Sequence, residues 1–341
     1  MHIIKRILSV FIALLLLAGL ASAEAPADIN SDFDRRAMAW ELIIQGDPRY
    51  QTYEYRFNFD DLSVRGCGPV SVTNALLATF GVSDREVTDV FLKETLMLMA
   101  DYHSAKNHGM TINNVDAFIT MDDATYPTLY AYKQALSPNS CFSPRTLTAE
   151  ELQSALAPMI ASGEGAISFS KLSTKEWITI AQLCHWLNEI GKEEAIITLS
   201  VVSGGTATSG TPFSDDSDGH YLTLLVHVGE YMRRGSVYLI DSLPRAIANE
   251  AFSNSTYWRP YYFASSLSHS YSFRHTYSIR RIQDTIIKME LLPEHQEALS
   301  ALTGEDRLRH EAKLLKEIQT YGLGLLTIFV PGTDSEGRAA Q

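Results

Sequence analysis

Apolar residues recur at helical spacing from Pro69 to Phe80: Val72, Ala75, Leu76 and Phe80 share a stripe, and Gly81 follows as a stop. A second helix is predicted from Thr111 through Ile112, Val115, Phe118 and Ile119. A third starts near Thr148, with Glu151 completing a capping box, and a fourth runs from Trp177 to Ile190 and stops at Gly191. Beyond Gly191 the period changes. Ala195 to Val202 is a β-branched apolar run, Ser203 to Gly219 is a polar, glycine-rich loop, and Tyr221 to Val228 and Ser236 to Ile240 read as strands joined by a short polar connection. Tyr261 to Phe263 adds a further short strand. A helical N-terminal half followed by a sheet-forming C-terminal half predicts an α+β domain. From about 284 to 321 the pattern returns to helix, divided by Pro293 and Gly304, which predicts a helical appendage over 284–341. Leu323 to Val330 is a strand-sized apolar run.

The first residues belong to a different class. Lys5 and Arg6 precede an apolar stretch from Ile7 to Leu20 that ends in Ala21-Ser22-Ala23, the layout of a secretory signal peptide over residues 1–23. The stretch is shorter than the roughly 20 residues that cross a bilayer, and no later run is long enough, so no stable membrane insertion is expected. The chain of 341 residues carries 28 Lys+Arg against 40 Asp+Glu, a net charge of -12, which argues against nucleic acid as a partner.

The sharpest chemical feature is Arg65-Gly66-Cys67-Gly68-Pro69, a thiol at a helix start between two glycines. Amides at a helix N-terminus favour thiolate over thiol, and glycine lets a substrate approach the backbone closely. Such a nucleophile needs a base, and Asp218-Gly219-His220 supplies one at the start of a strand; Asp241, at the end of the next strand, is placed to hold the imidazole. Upstream, Gln45 offers an amide to stabilise an oxyanion together with the Cys67 backbone, with Gln51 as its rival.

The segments QGDPRY, RGCGPVSVTNALLATFG, WLNEIGKEEAIITLSV, DGHYLTLL and VYLIDSLP, in this order over residues 43 to 245, resemble the papain-fold cysteine peptidases typified by the bacteriocin-processing, double-glycine leader peptidases, in a stand-alone form. The resemblance implies a papain-like fold over 24–283, with the N-terminal half carrying Cys67 as nucleophile and an antiparallel sheet carrying His220 as base and Asp241 as orienting acid. It assigns Gln45 to the oxyanion. Two departures stand out. The long stretch between Cys67 and His220 implies a helical insertion near 90–165, and Ser242 and Leu243 stand between Asp241 and Pro244, where the family usually has Pro directly after Asp.

On this reading the chain is an exported, secreted or periplasmic cysteine hydrolase acting on a peptide or protein through a thioester. An acyltransferase or transpeptidase on the same fold, or a papain-fold binding module whose C-terminal helices meet a partner, are the alternatives. No cofactor or metal is expected, because the ten His share no ligand spacing with Cys or acids. Of the three Cys, Cys141 and Cys184 remain for a disulfide once Cys67 is set aside, although Cys184 also fits an inert buried thiol. For His220 to lie directly across from Asp241, Gly229 to Met232 must form the turn between their strands. A turn at Arg233 to Gly235 sets Asp241 across from His227 instead, seven residues from the base.

Overall fold

The computed structural model describes residues 31–45, 47–50, 66–106, 122–136, 141–143, 154, 165–169, 174–203, 220–242, 276–315 and 325–330. The expected signal segment, the helices at Thr111 and Thr148, the loop 204–219, the strand Tyr261 to Phe263 and Gln51 lie outside the described residues. The chain divides into residues 1–36 and 37–341. The first helix, α1 (Asp32–Met38), starts with Ser31 Oγ accepting the Asp34 amide at 3.0 Å.

The next helix is α2 (Cys67–Phe80), and it is buried on nearly every side, from Cys67 to Thr79. The apolar stripe expected of it therefore understates its position. Two of its threonines bond within the helix: Thr73 Oγ1 donates to the Pro69 carbonyl at 2.8 Å and Thr79 Oγ1 to that of Ala75 at 2.7 Å. Pro69 falls in the first turn, where no helical amide is needed, and Val70 donates the first intrahelical bond to Gly66. Gly81, at φ 65°, closes the helix, with Val82 donating back to Leu77. Two further helices, α3 (Arg85–Lys106) and α4 (Pro127–Leu136), occupy part of the expected insertion, and where α2, α3 and α4 meet Tyr132 packs edge to face with Phe80 and Phe91, which are tilted against each other.

Among the described residues eight strands make one sheet: β1 (Cys141–Ser143), β2 (Gly165–Phe169), β3 (Ile196–Ser203), β4 (His220–His227), β5 (Val237–Ile240), β6 (Tyr277–Gln283), β7 (Ile286–Leu291) and β8 (Leu325–Val330). Their order is β1-β2-β8-β3-β4-β5-β7-β6, antiparallel except for the β1-β2 pair. The helix α5 (Thr174–Glu189) begins three residues before the predicted Trp177 and ends before Gly191, at φ 77°. Ile180, Leu183, Cys184 and Leu187 of α5 pack with Leu199, Leu222, Leu224, Val226 and Leu239 in one core. The fold is mixed α and β with a largely antiparallel sheet, as expected of an α+β protein.

Two expectations are corrected. The β4-β5 connection is not a polar turn but α6 (Val228–Arg234), whose N-cap is His227; its Nδ1 accepts the Glu230 amide at 3.2 Å, and Gly235 ends the helix at φ 60°. The tail after 283 is not a helical appendage. It supplies β7 and β8 as well as α7 (Pro293–Ser300) and α8 (Gly304–Leu315), and β8 lies inside the sheet between β2 and β3. A strand with partners on both edges gains twice the ladder bonds of an appended one, so the last described strand is integral to the domain. Among the described residues no helix is long and apolar enough to cross a membrane.

Candidate active site

The position of Cys67 follows from how α2 is seated. Ser71 Oγ meets Ser200 Oγ of β3 at 2.8 Å, Thr223 Oγ1 of β4 donates to the Ser71 carbonyl at 2.8 Å, and Thr79 Oγ1 meets Thr198 Oγ1 at 2.6 Å. These hydroxyl contacts fix the axis of α2 across β3 and β4, with its N-terminus toward the end of the sheet where β4 begins and β5 finishes. One turn before Ser71, about 6 Å along the helix, lies Cys67. It is the first helical residue, 7 % exposed, and the Cys67 and Gly68 amides precede the first intrahelical bond.

His220 is the first residue of β4, paired with Ser203, so the strand that is bonded to α2 through Thr223 carries the expected base at the same end of the sheet. The His220 side chain lies outside what is described. The β4 side chain that faces the same way as Thr223, one step nearer the strand start, is that of Tyr221. Burial, and then the charge of Cys67, push its phenol up to about 12. No motif in the sequence singles out Tyr221, although its two-residue spacing from Thr223 is legible there.

The β4-β5 register pairs Thr223 with Ile240, Leu224 with Leu239 and Leu225 with Tyr238. Continued by one residue, it sets Asp241 across from Leu222, two residues from His220. The expected direct pairing of His220 with Asp241 is therefore corrected by a two-residue shift, the connection centring between Tyr231 and Met232. The alternative that would have set Asp241 across from His227 does not occur. Asp241 is buried, and its amide donates to the Thr285 carbonyl at 2.9 Å, carrying the β5-β7 ladder one step further.

Gln45 is joined to the same corner. Its backbone N–H donates to the Ser242 carbonyl at 2.8 Å, and Ser242 Oγ donates to Gln45 Oε1 at 3.3 Å, both residues being buried. Two residues earlier, Asn74 of α2 brackets Ile43, accepting from its amide at 2.8 Å and donating to its carbonyl at 3.0 Å. The segment carrying Gln45 is thus tied to the Cys67 helix on one side and to the Asp241 strand on the other. Beyond it, the 3-10 turn Pro48–Tyr50 is braced by Arg49, whose Nε and Nη2 both reach Asp47 Oδ2 (2.9 and 2.6 Å), and by the Tyr50 hydroxyl, which donates to Asp89 of α3 at 2.5 Å. The hydrogen bond from Arg49 keeps the Asp47 carboxyl below its ordinary range. A cleft of about 400 Å³ opens alongside, lined by Met38, Trp40, Leu42, Ile44, Arg49 and Thr285 among others.

Of the two alternatives open for Cys184, a disulfide with Cys141 or an inert buried thiol, the second is found. Cys184 is a free thiol, fully buried in the α5 core, and burial pushes it far above the ordinary thiol range. His227, the capping residue of α6, also meets Glu194 Oε2 through Nε2 at 3.2 Å. Among the described residues no group of three His, Cys, Asp or Glu side chains is placed to hold a metal.

What gathers at one end of the sheet is a cysteine at a helix start, the histidine that opens β4, a buried aspartate past the end of β5 and a buried glutamine bonded to its neighbour. No protein-family model, no curated protein and no solved structure matches the chain.

Proposed function

We propose that this chain is an exported cysteine hydrolase of papain-like fold, acting on peptide bonds through Cys67, His220 and Asp241, with Gln45 at the oxyanion. The observation that carries the reading is the seating of α2. The Thr223 to Ser71 bond sets the Cys67 end of the helix at the end of the sheet where β4 starts with His220 and β5 gives way to Asp241. The resemblance of the motifs to the bacteriocin-processing peptidases supports the same roles.

In the proposed reaction His220 takes the Cys67 proton and the thiolate attacks the substrate carbonyl, forming a tetrahedral intermediate. The Cys67 amide and the Gln45 side-chain amide donate to its oxygen. Collapse expels the amine, which takes the proton from His220, and leaves a thioester. Water, activated by the same imidazole, then releases the acid and regenerates the thiol. Asp241 holds the imidazole and stabilises its charged form.

The test is labelling of the protein with iodoacetamide across pH, with the modified residue located by mass spectrometry. Cys67 is expected to label faster than free cysteine at neutral pH, and the Cys67→Ala protein to lose that fast phase. Equal labelling of the two proteins removes the site.

A further inference from the structure

Over residues 40–44 the chain forms no helix, turn or ladder, yet its backbone bonds alternate. The Glu41 N–H donates to the Val82 carbonyl at 3.0 Å, Asn74 takes both backbone groups of Ile43, and the Gln45 N–H reaches the Ser242 carbonyl. Every second residue thus turns its backbone inward, as in an extended strand, and the residues between them turn theirs to the opposite edge. On that edge the Trp40 carbonyl accepts from Gln283 Nε2 at 3.3 Å, so the edge faces the β6-β7 turn. Among the described residues the Leu42 N–H, the Leu42 carbonyl and the Ile44 N–H make no hydrogen bond. There is room for a partner, because Trp40, Leu42 and Ile44 line the cleft of about 400 Å³ together with Gln283, Asp284 and Thr285 at the β6-β7 turn.

Backbone donors and an acceptor at two-residue spacing, unmet and set in a cleft, match the backbone of an extended peptide, which carries its own at the same spacing. A phosphate or a sugar would call for polar or basic side chains, whereas Trp40, Leu42 and Ile44 are apolar and Arg49 is already held by Asp47. The cleft adjoins the corner already described: Ile44 precedes Gln45, and the Thr285 carbonyl accepts the Asp241 N–H at 2.9 Å. Resting on the reading of the chain as a peptidase, we propose that the edge at residues 42–44 is a substrate-binding site, where an extended stretch of the peptide substrate adds as a strand. The peptide accepts from the Leu42 and Ile44 N–H groups and donates to the Leu42 carbonyl. Recognition runs through the main chain, so the site selects an unfolded chain over a folded one and tolerates varied side chains.

Tryptic peptides of a denatured cell extract are offered to the full-length protein, and cleavage is read by mass spectrometry. The peptide cleaved fastest is then made with single backbone N-methyl groups along its length. Each methyl removes a donor and blocks the one edge of the peptide that it faces. Within the stretch that occupies the cleft, kcat/KM is expected to fall about tenfold or more at alternate positions and to stay within about twofold at those between. Leu42→Pro and Ile44→Pro each remove an N–H that holds no internal bond, and each is expected to raise KM for that peptide about tenfold with kcat near the parent value. The methyl positions that cost the parent are expected to cost these variants little more. A scan without two-residue alternation, parent-like KM in variants whose unfolding midpoints match the parent, or methyl losses that multiply with those of the variants overturn the site. The p-nitrophenolate burst with p-nitrophenyl acetate, an ester too small to add as a strand, tests the chemistry separately. A Cys67-dependent burst in a parent protein that cleaves no peptide overturns this inference and leaves Cys67 as the nucleophile. Absence of that burst overturns the proposed function and this inference with it.

Discussion

Thr223 of β4 donates its hydroxyl to the backbone carbonyl of Ser71 in α2, across 152 positions of sequence, and this bond decides where Cys67 sits. It accompanies the Ser71 to Ser200 contact and ties the second turn of α2 to two strands at once. Cys67, one turn earlier, is carried by that anchor.

Loss of Cys67 or His220 is expected to abolish the p-nitrophenolate burst, a fall of about 10⁴-fold or more, whereas Asp241→Asn leaves a measurable remainder because the acid orients and stabilises the imidazole without reacting. The double variant lacking Cys67 and His220 is expected to be no less active than either single one. Full burst activity in Cys67→Ala would contradict the mechanism.

The turn after Gln45 rests on Asp89. Asp89→Ala removes the acceptor of the buried Tyr50 hydroxyl and one partner of Arg49, and is expected to cost about 2 kcal/mol in urea unfolding, against about 1 kcal/mol for Tyr50→Phe. The cost of combining the two is expected to fall short of the sum, since both remove the same bond.

Glu311 of α8 is buried against α5 and α6, accepting from Arg307 Nε at 2.9 Å and the Tyr231 hydroxyl at 3.0 Å and meeting His185 Nε2 at 2.9 Å. Burial by itself raises the carboxyl; the bonds from His185, Arg307 and Tyr231 outweigh it and hold the group below its ordinary value of 4.5. The folded state therefore binds its proton less readily than the unfolded one. The resulting stability is fully present above the ordinary value and is lost as pH falls through the lowered one. Melting temperatures from about pH 6 to about pH 3 are expected to fall less steeply for Glu311→Gln than for the parent, and the variant to start on the order of 3 kcal/mol less stable at neutral pH. Parallel curves for the two proteins would rule this out.

Gly235 and Gly191 both have positive φ, 60° and 77°, but differ in their surroundings. A Cβ on Gly235 would overlap the Leu291 side chain, with Cγ at 2.6 Å, whereas one on Gly191 meets nothing within 4 Å. Gly235→Ala is expected to cost about 3 kcal/mol, combining left-handed strain with overpacking, and Gly191→Ala about 1 kcal/mol from strain alone. Urea midpoints of the two variants provide the comparison; equal losses would mean that Leu291 moves aside.

Truncation after residue 283 removes β7, which pairs β5 with β6, and β8, which bridges β2 and β3. The shortened chain is expected to be insoluble or to lack cooperative unfolding, read by circular dichroism and size-exclusion chromatography. A cooperatively folded remnant would show that these strands are dispensable to the core.

The local features of this protein are written in its sequence. Gly81 and Gly191 stop α2 and α5 because a left-handed residue is needed there, and the run of apolar and β-branched residues before Ser203 marks β3, a strand whose buried Thr198 and Ser200 bond to α2. The placement of Cys67 at a helix start is local in the same sense. Even α6 has its marks in Glu230, Arg233, Arg234 and Gly235, which follow helix polarity and capping, but a segment of only seven residues is short enough to pass for a turn. Strand order and register were decided by the tertiary structure alone. Whether the last apolar run hangs from an appendage or enters the sheet, whether Asp241 opposes His220 or Leu222, and whether Ser242 meets Gln45 depend on pairing between residues far apart in the chain. That pairing is chosen by the fit of whole faces against the helices, and no short-range pattern encodes it.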